Sequence, residues 1–494
     1  MKKILRNGML IIIVISIITY LIIGFSSIYR SNKNRHNNLL NNVDNELVYD
    51  NENNSSIEKK DNSLYFHKNI KSLVWFQLYW LMFYGVLRDL VGVPRYVAYM
   101  LDLFNIILIA YVIFNGKMIK YRNSRVGLWI ILSFFCSTVI GLIAVDGSPI
   151  LYIWGFRNVF RYYAYFISCT VLLDISDVLE IIPKLKKIYI INFFICLVEF
   201  GLGYSGDNIG GIFGTQSGCN GYLNLFLIVV SAIYVTEYLE KKIGLMRIML
   251  AIVSCFFLMA IAELKVYLFE LPIIILIGMI NAKFSFRKII IIMFGVCGIA
   301  IGISMLGHFF ESSGLDFFTS DAISKYMGDS GYTNTGDLSR MNAVSQLYER
   351  FLQGNFWGSV FGIGLGNASY SAAFSFFNSR FYLLHQALHY QWFTDAIIFI
   401  ETGTVGLVLY ELFFLRVFTY SRKINKRIAN EYSGDFSQQL RCVVQVAGIT
   451  AILCVVNSVY NSALNMDAGY MVYFIFAIPA IVDVFMKGNG CYDK

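Results

Sequence analysis

The sequence contains few charged residues and few prolines for its length. Only 15% of its 494 residues are Asp, Glu, Lys or Arg and only five are proline, whereas 57% are hydrophobic and 42 are phenylalanine. Soluble globular domains carry about 25% charged residues, so this composition argues against a soluble fold.

The chain also lacks the patterns that mark disulfide frameworks, metal sites and common catalytic motifs. Its nine cysteines are scattered, mostly in apolar runs, without paired spacing. No Ser-His-Asp pattern, nucleophile elbow, P-loop or Asp-x-Asp motif occurs in its loops. We therefore expect no metal and no other cofactor. The net charge of +8 is accounted for by cytoplasmic loops that obey the positive-inside rule, so nucleic acid is not an expected partner.

What the chain has in abundance is long apolar runs. Runs of 18 or more residues recur, and each can cross about 30 Å of hydrocarbon. They must be helical, because lipid offers the backbone no hydrogen-bond partner. The sequence predicts an all-α, polytopic integral membrane protein with about 12–13 transmembrane helices. The candidate spans are 9–25, 73–87, 96–114, 126–145, 162–173, 188–203, 222–237, 248–262, 266–280, 289–306, 390–414, 442–459 and 470–486.

Three regions follow from this pattern. Residues 1–28 form an N-terminal hydrophobic span, either an extra helix or a signal anchor. Residues 29–72 are polar and rich in asparagine, which predicts disorder. Residues 73–487 form the polytopic domain, with one large loop, 307–389, between the tenth and eleventh candidate spans. A long loop between membrane helices is a common location for chemistry.

The distribution of Lys and Arg predicts the orientation of the domain. From residue 117 onward, one set of alternate loops holds 21 of these residues, whereas the opposite set holds nine along the chain. The richer set is cytoplasmic by the positive-inside rule. We therefore expect the protein in the cytoplasmic (inner) membrane with the 307–389 loop on the extracytoplasmic side. The orientation of the N-terminus stays open.

Two arginines stand out among the nine outward basic residues. Arg157 and Arg161 lie four apart in WGFRNVFRYYAYF, so they share one face of a helix. Two guanidinium groups on one face can form bidentate hydrogen bonds to a diphosphate or another oxyanion. The alternative is that they reach toward lipid headgroups.

Three further outward segments are candidates for a site. Glu263 and Lys265, in AIAELKVYLFELP, interrupt two spans and form either a site edge or a polar hairpin turn. The glycine-rich segments GLGYSGDNIGGIFGTQSGCNG and FGIGLGN are predicted to be close-approach turns whose amides reach a bound polar group. The alternative for both is flexible loop structure.

The large loop supplies the remaining candidates. A helix is predicted from Leu338, with Asp337 as its N-cap and an apolar face for the membrane surface. Arg340 then occupies the first turn, where the helix dipole makes a cation unfavourable. A cation placed there despite this cost suggests a functional role. Arg350 follows on the same helix. His385 and His389 lie four apart. Either is a suitable general base, or an interfacial histidine; a zinc site is not expected.

These segments together resemble the O-antigen polymerase and ligase superfamily, whose members are integral-membrane glycosyltransferases. GFRNVFRYYAYF looks like the family's Arg-bearing external segment, GIFGTQSGCNG like its glycine-rich turn, and AELKVYLFELP like its charged hairpin. LSRMNAVSQL followed by FGIGLGN resembles the order of its large loop, and the histidines followed by ETGTVGL resemble its closing element. The chain departs from the family in His389-Tyr390, where the family has His-Asn, and in lacking a proline before FGIGLGN.

The resemblance implies a metal-independent, inverting glycosyltransferase that polymerises cell-surface polysaccharide of the O-antigen or capsule type. Its donor is an oligosaccharide on undecaprenyl diphosphate, and membrane lipid, a flippase and a chain-length regulator are possible partners. His389 is the expected base and His385 is secondary. The substrate-binding candidates are Arg157, Arg161, Arg340, Arg350, Glu263 and Lys265. The alternatives are ligase-type transfer to another acceptor, a non-enzymatic assembly partner, and a flippase, which should carry charges along its spans.

Overall fold

The computed structural model describes residues 54–115, 126–281, 286–309, 336–372 and 374–489, and every regular element in this part is helical, as predicted. The helices are α1 (Asn54–Val86), α2 (Met100–Phe114), α3 (Leu128–Ala144), α4 (Pro149–Leu172), α5 (Ile175–Gly201), α6 (Asn220–Leu239), α7 (Leu245–Ile261), α8 (Tyr267–Asn281), α9 (Phe286–Phe309), α10 (Ala343–Leu347), α11 (Phe356–Phe361), α12 (Arg380–His385), α13 (Thr394–Glu431), α14 (Gly434–Tyr460) and α15 (Gly469–Asn489).

Seven helices in the described part are long and apolar enough to cross a membrane. Their apolar stretches are Asn69–Asp89, Tyr96–Phe114, Asn220–Leu239, Phe286–Met305, Thr394–Glu431, Gly434–Tyr460 and Gly469–Gly488. Three shorter apolar helices, α3, α7 and α8, accompany them. These helices are compatible with a polytopic membrane protein, whereas the number of crossings stays a prediction. The first candidate span, 9–25, lies outside the described residues.

The start of α1 differs from the sequence prediction. Disorder was predicted for 29–72, but the helix already begins at Asn54. No glycine or proline occurs between Asn54 and the apolar part of α1, so nothing in this stretch terminates a helix that the apolar part nucleates. The amino group of Lys71 lies 2.6 Å from Asp177 at the start of α5, which holds this part of α1 against the bundle.

The helices sort into an interior and a periphery. α6 and α15 are almost entirely buried, whereas α2 and α9 expose most of their apolar surface. α13 packs along α14, and α15 packs along α4. The exposed apolar side chains of the peripheral helices, including Leu103, Ile106, Met293 and Val296, are what helices in contact with lipid require.

One end of the bundle carries the described part of the large loop, and we call it the loop end. Hydrogen bonds join the connections at this end: Ser148 N to Asn367 Oδ1, Thr215 N to Asp89 Oδ2, Asn220 Nδ2 to Ala262 O and Thr394 Oγ1 to Asn461 O. The extracytoplasmic location of the loop end is the prediction made above from the basic residues.

The predicted helix from Leu338 is wrong at its start. Residues 336–342 are irregular chain and turn, and α10 begins only at Ala343, after Asn342. The amide of Leu338 donates instead to the carbonyl of Leu388, so this segment pairs with a distant part of the loop. A tertiary contact has outweighed the local capping signal of Asp337.

Candidate functional site

Arg157 and Arg161 both lie on α4, so their predicted helical spacing is confirmed, but they contact different partners. The guanidinium of Arg157 forks onto the carboxylate of Asp102, with Nε and Nη2 at 2.8 and 2.7 Å. Its Nη1 donates to Asn158 at 2.8 Å, and the rings of Tyr99 and Trp154 flank it. These contacts use every nitrogen of Arg157 within the protein.

Arg161 is less completely satisfied. Its Nη2 donates to the hydroxyl of Tyr162 at 2.6 Å and to the carbonyl of Asn465 at 3.3 Å. Its Nη1 lies 3.9 Å from Asp467, which is too long for a hydrogen bond. Its Nε is buried and has no hydrogen-bond partner among the described residues. Only 11% of the side chain is exposed, so this unpaired donor is costly unless a ligand supplies an acceptor.

The connection between α14 and α15, residues 461–468, receives Arg161 and several other polar groups. The hydroxyl of Tyr162 donates to the carbonyl of Met466 at 2.9 Å. The hydroxyl of Thr394, at the start of α13, donates to the carbonyl of Asn461. No motif in the sequence pointed to this connection, because its importance arises only from the helices that surround it.

Arg340 reaches the same connection from the loop. Its Nη1 donates at 2.6 Å to the carbonyl of Tyr460, the last residue of α14, and its guanidinium lies over the Tyr460 ring. The sequence analysis placed Arg340 at the N-terminus of its own helix, where its charge would be unfavourable. That placement is wrong, since the residue instead lies at the C-terminus of α14, where a cation is favoured by the helix dipole.

The two histidines lie four apart in the sequence, but they do not share a helical face in the structure. α12 ends at His385, and His389 has a left-handed backbone with φ of 52°. His385 packs against the rings of Phe351 and Phe381, which also contact each other. His389 stacks on Trp392 with ring centroids 4.0 Å apart, and its buried Nδ1 has no hydrogen-bond partner in the described part of the chain.

The turn with His389 lies beside the segment that carries Arg340. The hydrogen bond from the Leu338 amide to the Leu388 carbonyl, 3.1 Å long, joins the two. The next residue, Tyr390, is fully buried and donates its hydroxyl to the carbonyl of Ala368 at 2.6 Å. Burial raises the pKa of this phenol, so Tyr390 remains neutral and anchors the turn. The structure thus brings together Arg340 and the His389 turn at the loop end.

Arg161, Tyr162 and Asp467 lie together at the connection between α14 and α15, and we call them the arginine cluster. They come from α4 and from that connection, which sequence spacing could not have linked. Arg88, which the sequence analysis counted only as an outward basic residue, lies on the π-helix turn Leu87–Val91 and donates to both carboxylate oxygens of Asp89.

Buried glutamates of the protein itself hold amides within the first glycine-rich segment and directly after the second. Glu401 accepts hydrogen bonds from the amide of Ala368 and the hydroxyl of Ser369. Glu199, at the end of α5, accepts from the amides of Gly210 and Gly211 at 3.2 and 2.8 Å. These segments are therefore fixed by side chains that the sequence analysis had not assigned to them, and these amides are already used within the protein.

Glycines in the second segment and in α4 allow the backbones of the loop and of α4 to lie in direct contact. A Cβ on Gly366 would lie 1.8 Å from the carbonyl oxygen of Leu151, and one on Gly155 would lie 2.4 Å from the amide nitrogen of Gly366. The loop therefore lies directly on the first turns of α4. The prediction of close-approach turns is confirmed for this segment, with α4 rather than a ligand as the neighbour.

Glu263, Lys265 and Arg350 have local partners. Lys265 lies 3.1 Å from Glu263 across the α7–α8 turn, where Glu263 has φ of 55°. Arg350, on the π-helix Tyr348–Leu352, donates to Gln346 at 3.0 Å. These contacts satisfy charges within each segment, as a polar turn or an exposed helix end requires.

No group of three or more His, Cys, Asp or Glu side chains in the described ranges could hold a metal ion. No protein-family model matches the chain, and no curated protein matches it. The functional argument therefore rests on the residues of the arginine cluster and of the neighbouring loop.

Proposed function

We propose that this protein is a membrane glycosyltransferase of the O-antigen polymerase and ligase type. It joins oligosaccharide repeats carried on a lipid diphosphate into a cell-surface polysaccharide, on the extracytoplasmic face of the cytoplasmic membrane. The proposal draws on the resemblance of the loop-end segments and on the chemistry of the arginine cluster.

The observation that carries the proposal is that the guanidinium of Arg161 is incompletely hydrogen-bonded at its Nε among the described residues. An arginine inside a membrane domain is costly and marks a ligand site by default. Arg161 has a buried Nε without a partner among the described residues and a carboxylate, Asp467, at 3.9 Å rather than at hydrogen-bond distance. A phosphate oxygen at this edge would complete its hydrogen bonds, because guanidinium groups match oxyanions geometrically.

The reaction is a displacement at the anomeric carbon of the donor sugar. The acceptor hydroxyl forms the new glycosidic bond as the bond from the anomeric carbon to the diphosphate oxygen breaks. The diphosphate leaves with the electron pair, and Arg161 stabilises the charge that develops on it. Attack from the opposite side inverts the anomeric configuration.

A base must take the proton of the acceptor hydroxyl, and His389 is our candidate. A neutral imidazole suits this task near pH 7. His389 lies on a turn that is fixed on both sides, by the Leu338–Leu388 hydrogen bond and by the buried Tyr390. A fixed turn orients a reacting group in advance, which is where much of the rate gain of such enzymes arises.

The proposal is tested with purified protein reconstituted in a lipid nanodisc and supplied with a lipid-diphosphate-linked repeat. We expect a ladder of products that increase by one repeat, and its loss in Arg161→Ala. Arg380→Ala, which removes an exposed arginine at the start of α12, is the matched control and should retain the ladder.

Other outcomes identify the alternatives. Transfer of a single glycan to a different acceptor, without a ladder, indicates a ligase. Movement of the lipid-linked repeat across a liposome membrane without any new glycosidic bond indicates a flippase. The absence of product with several donors, from protein that remains folded, contradicts the glycosyltransferase proposal.

A further inference from the structure

We propose that Glu270, together with Asn224 and Asn457, forms a binding site for a monovalent cation, Na⁺, inside the helix bundle, one turn below the loop end. This inference goes beyond the proposed function and does not rest on it. It starts from a buried carboxylate whose charge no described residue neutralises.

Glu270, in the first turn of α8, is completely buried. Its Oε1 accepts a hydrogen bond of 3.0 Å from Nδ2 of Asn224 on α6, which is also completely buried. No residue of the described part forms an ion pair with Glu270, and its Oε2 has no hydrogen-bond partner there. A charged carboxylate inside a membrane domain is costly and marks a functional site by default.

Two other buried acids show how the bundle balances such a charge elsewhere. Glu240 lies 2.8 Å from Arg441, and Asp483 lies 3.2 Å from Arg427. Each acid is thereby paired with a guanidinium that offsets part of the cost of its burial. At Glu270 the compensating positive charge must instead come from a bound ion or from a proton.

Three helices bring polar side chains to the same depth around this carboxylate. Asn224 is the fifth residue of α6, Glu270 is the fourth residue of α8, and Asn457 is the fourth residue from the end of α14. The start of α6, the start of α8 and the end of α14 all lie at the loop end. Asn457 is completely buried, like the other two.

Packing deeper in the bundle joins the same three helices. A Cβ on Gly278 of α8 would lie 3.1 Å from Val235 of α6 and 3.8 Å from Ile449 of α14. Each residue of the site lies about two or three turns nearer the loop end, toward the same side of its helix. The three side chains therefore converge, and Asn457 lies beside the carboxylate of Glu270.

The atoms that remain unpaired favour a cation over a proton. Glu270 Oε2, Asn224 Oδ1 and Asn457 Oδ1 are all buried without a hydrogen-bond partner among the described residues. A proton on Glu270 donates to one acceptor and leaves another unpaired, whereas a cation is shared by several oxygens.

The chemistry of these oxygens indicates the class of ion. Carboxylate and amide oxygens are ligands of hard cations, and a single carboxylate matches a single positive charge. The site therefore differs from a catalytic metal centre, which is built from several His, Cys, Asp or Glu side chains.

The test is equilibrium binding of radiolabelled Na⁺ to the purified full-length protein in detergent. It is carried out at mildly alkaline pH, where protons compete weakly, with choline chloride to hold the ionic strength constant. We expect saturable binding to the wild type. Glu270→Gln removes the charge but keeps the shape of the side chain, so it should abolish binding. Asn224→Leu removes one oxygen ligand and should weaken the apparent affinity about tenfold or more.

Glu180→Gln is the matched control, because it removes an exposed acid from α5, away from the site; it should bind Na⁺ like the wild type. Size-exclusion chromatography confirms that each variant is folded. Glu270→Gln should fold, since a neutral amide replaces a buried charge. If it does not, Asn224→Leu decides the matter, and an unchanged affinity in that variant overturns the inference.

Three further results would overturn the inference. One is the absence of saturable Na⁺ binding to the wild type, which would mean that a proton neutralises Glu270. Another is wild-type binding in folded Glu270→Gln. The third is a preference for Ca²⁺ over Na⁺ in competition, because a single carboxylate leaves a divalent ion uncompensated. None of these measurements uses a glycan donor, so their outcome is independent of the proposed function.

Discussion

Glu401 on α13 and Ser369 on the loop are joined by a 2.6 Å hydrogen bond from the serine hydroxyl to the carboxylate. The same carboxylate oxygen accepts the amide of Ala368, and Glu401 is 1% exposed. The contact fixes the glycine-rich part of the loop against the helix that follows it. Glu401 belongs to the ETGTVGL segment, so the structure gives this segment a physical role in positioning the loop.

Removal of this carboxylate should loosen the loop. Glu401→Ala leaves a buried amide and a hydroxyl without an acceptor, which costs about 1–3 kcal/mol for each unsatisfied group. We expect a lower thermal unfolding temperature in detergent and faster proteolysis between α9 and α13. Glu401→Gln retains an acceptor oxygen and should be milder. Glu349→Ala, which removes an exposed acid from the same loop, should change neither measurement.

Gly403 provides a second test of the loop contact. It interrupts the helical backbone of α13 with φ of 67° and ψ of −167°, and a Cβ there would lie 2.4 Å from the backbone of Val360. Gly403→Ala should therefore impair folding through both backbone strain and steric overlap. Gly354 also has a positive φ, 82°, but open space around it.

The matched variant Gly354→Ala separates the two causes. It carries the cost of the positive φ alone, so it should give near-normal amounts of folded protein when the two are compared by fluorescence-detected size-exclusion chromatography. Equal losses for the two variants would show that backbone strain, rather than the close approach of Val360, accounts for the effect.

The sequence predicted those features that depend on neighbouring residues. Apolar runs located the helices from residue 73 onward, and the spacing of Arg157 and Arg161 correctly placed both on one helix. Periodicity and composition are sufficient here, because a helix in lipid must satisfy its own backbone. The glycine segments were correctly predicted to allow close approach, as Gly366 and Gly155 show.

Features that depend on distant residues could not be predicted in this way. Asp337 carries a good capping signal, yet Leu338 pairs with Leu388 and the helix begins later. Nothing near Asp467 in the sequence indicates that Arg161 lies beside it. The glutamate partners of the glycine segments were missed for the same reason, since a buried acceptor can come from any helix that packs nearby.

Product formation is expected to continue in the presence of EDTA. The described residues include no group of three His, Cys, Asp or Glu side chains suited to a metal ion, and arginines can neutralise the leaving diphosphate. The measurement is the product ladder with and without chelator, using donor that has been freed of divalent ions. Loss of the ladder in EDTA, with recovery on addition of Mg²⁺ or Mn²⁺, would contradict the metal-independent mechanism.

Arg157 and Arg161 should respond differently to replacement by lysine. Arg161→Lys removes the planar guanidinium, which can donate two parallel hydrogen bonds to a phosphate. We therefore expect the rate of polymerisation to fall about tenfold or more. Arg157 is occupied by Asp102 and Asn158, so Arg157→Lys should lower stability more than rate. The two variants are compared by initial rate and by unfolding temperature. A larger rate loss in Arg157→Lys would transfer the ligand-binding role to that residue.

The final prediction concerns the base. His389→Ala should reduce the rate of polymerisation by about 10²–10⁴, the usual cost of losing a positioned general base, while the protein remains folded. His385→Ala should reduce the rate much less, because His385 packs against Phe351 and Phe381 in an aromatic cluster. Its removal should lower the unfolding temperature instead.

A conservative replacement distinguishes chemistry from packing at His389. His389 stacks on Trp392, so His389→Phe keeps an aromatic ring on the tryptophan but provides no nitrogen to accept a proton. If the phenylalanine variant is as stable as the wild type and as inactive as His389→Ala, the imidazole acts as a base. If it restores activity, the ring serves only to hold the turn, and the proton is taken by another group, for which Asp467 beside Arg161 is the carboxylate candidate in the cluster.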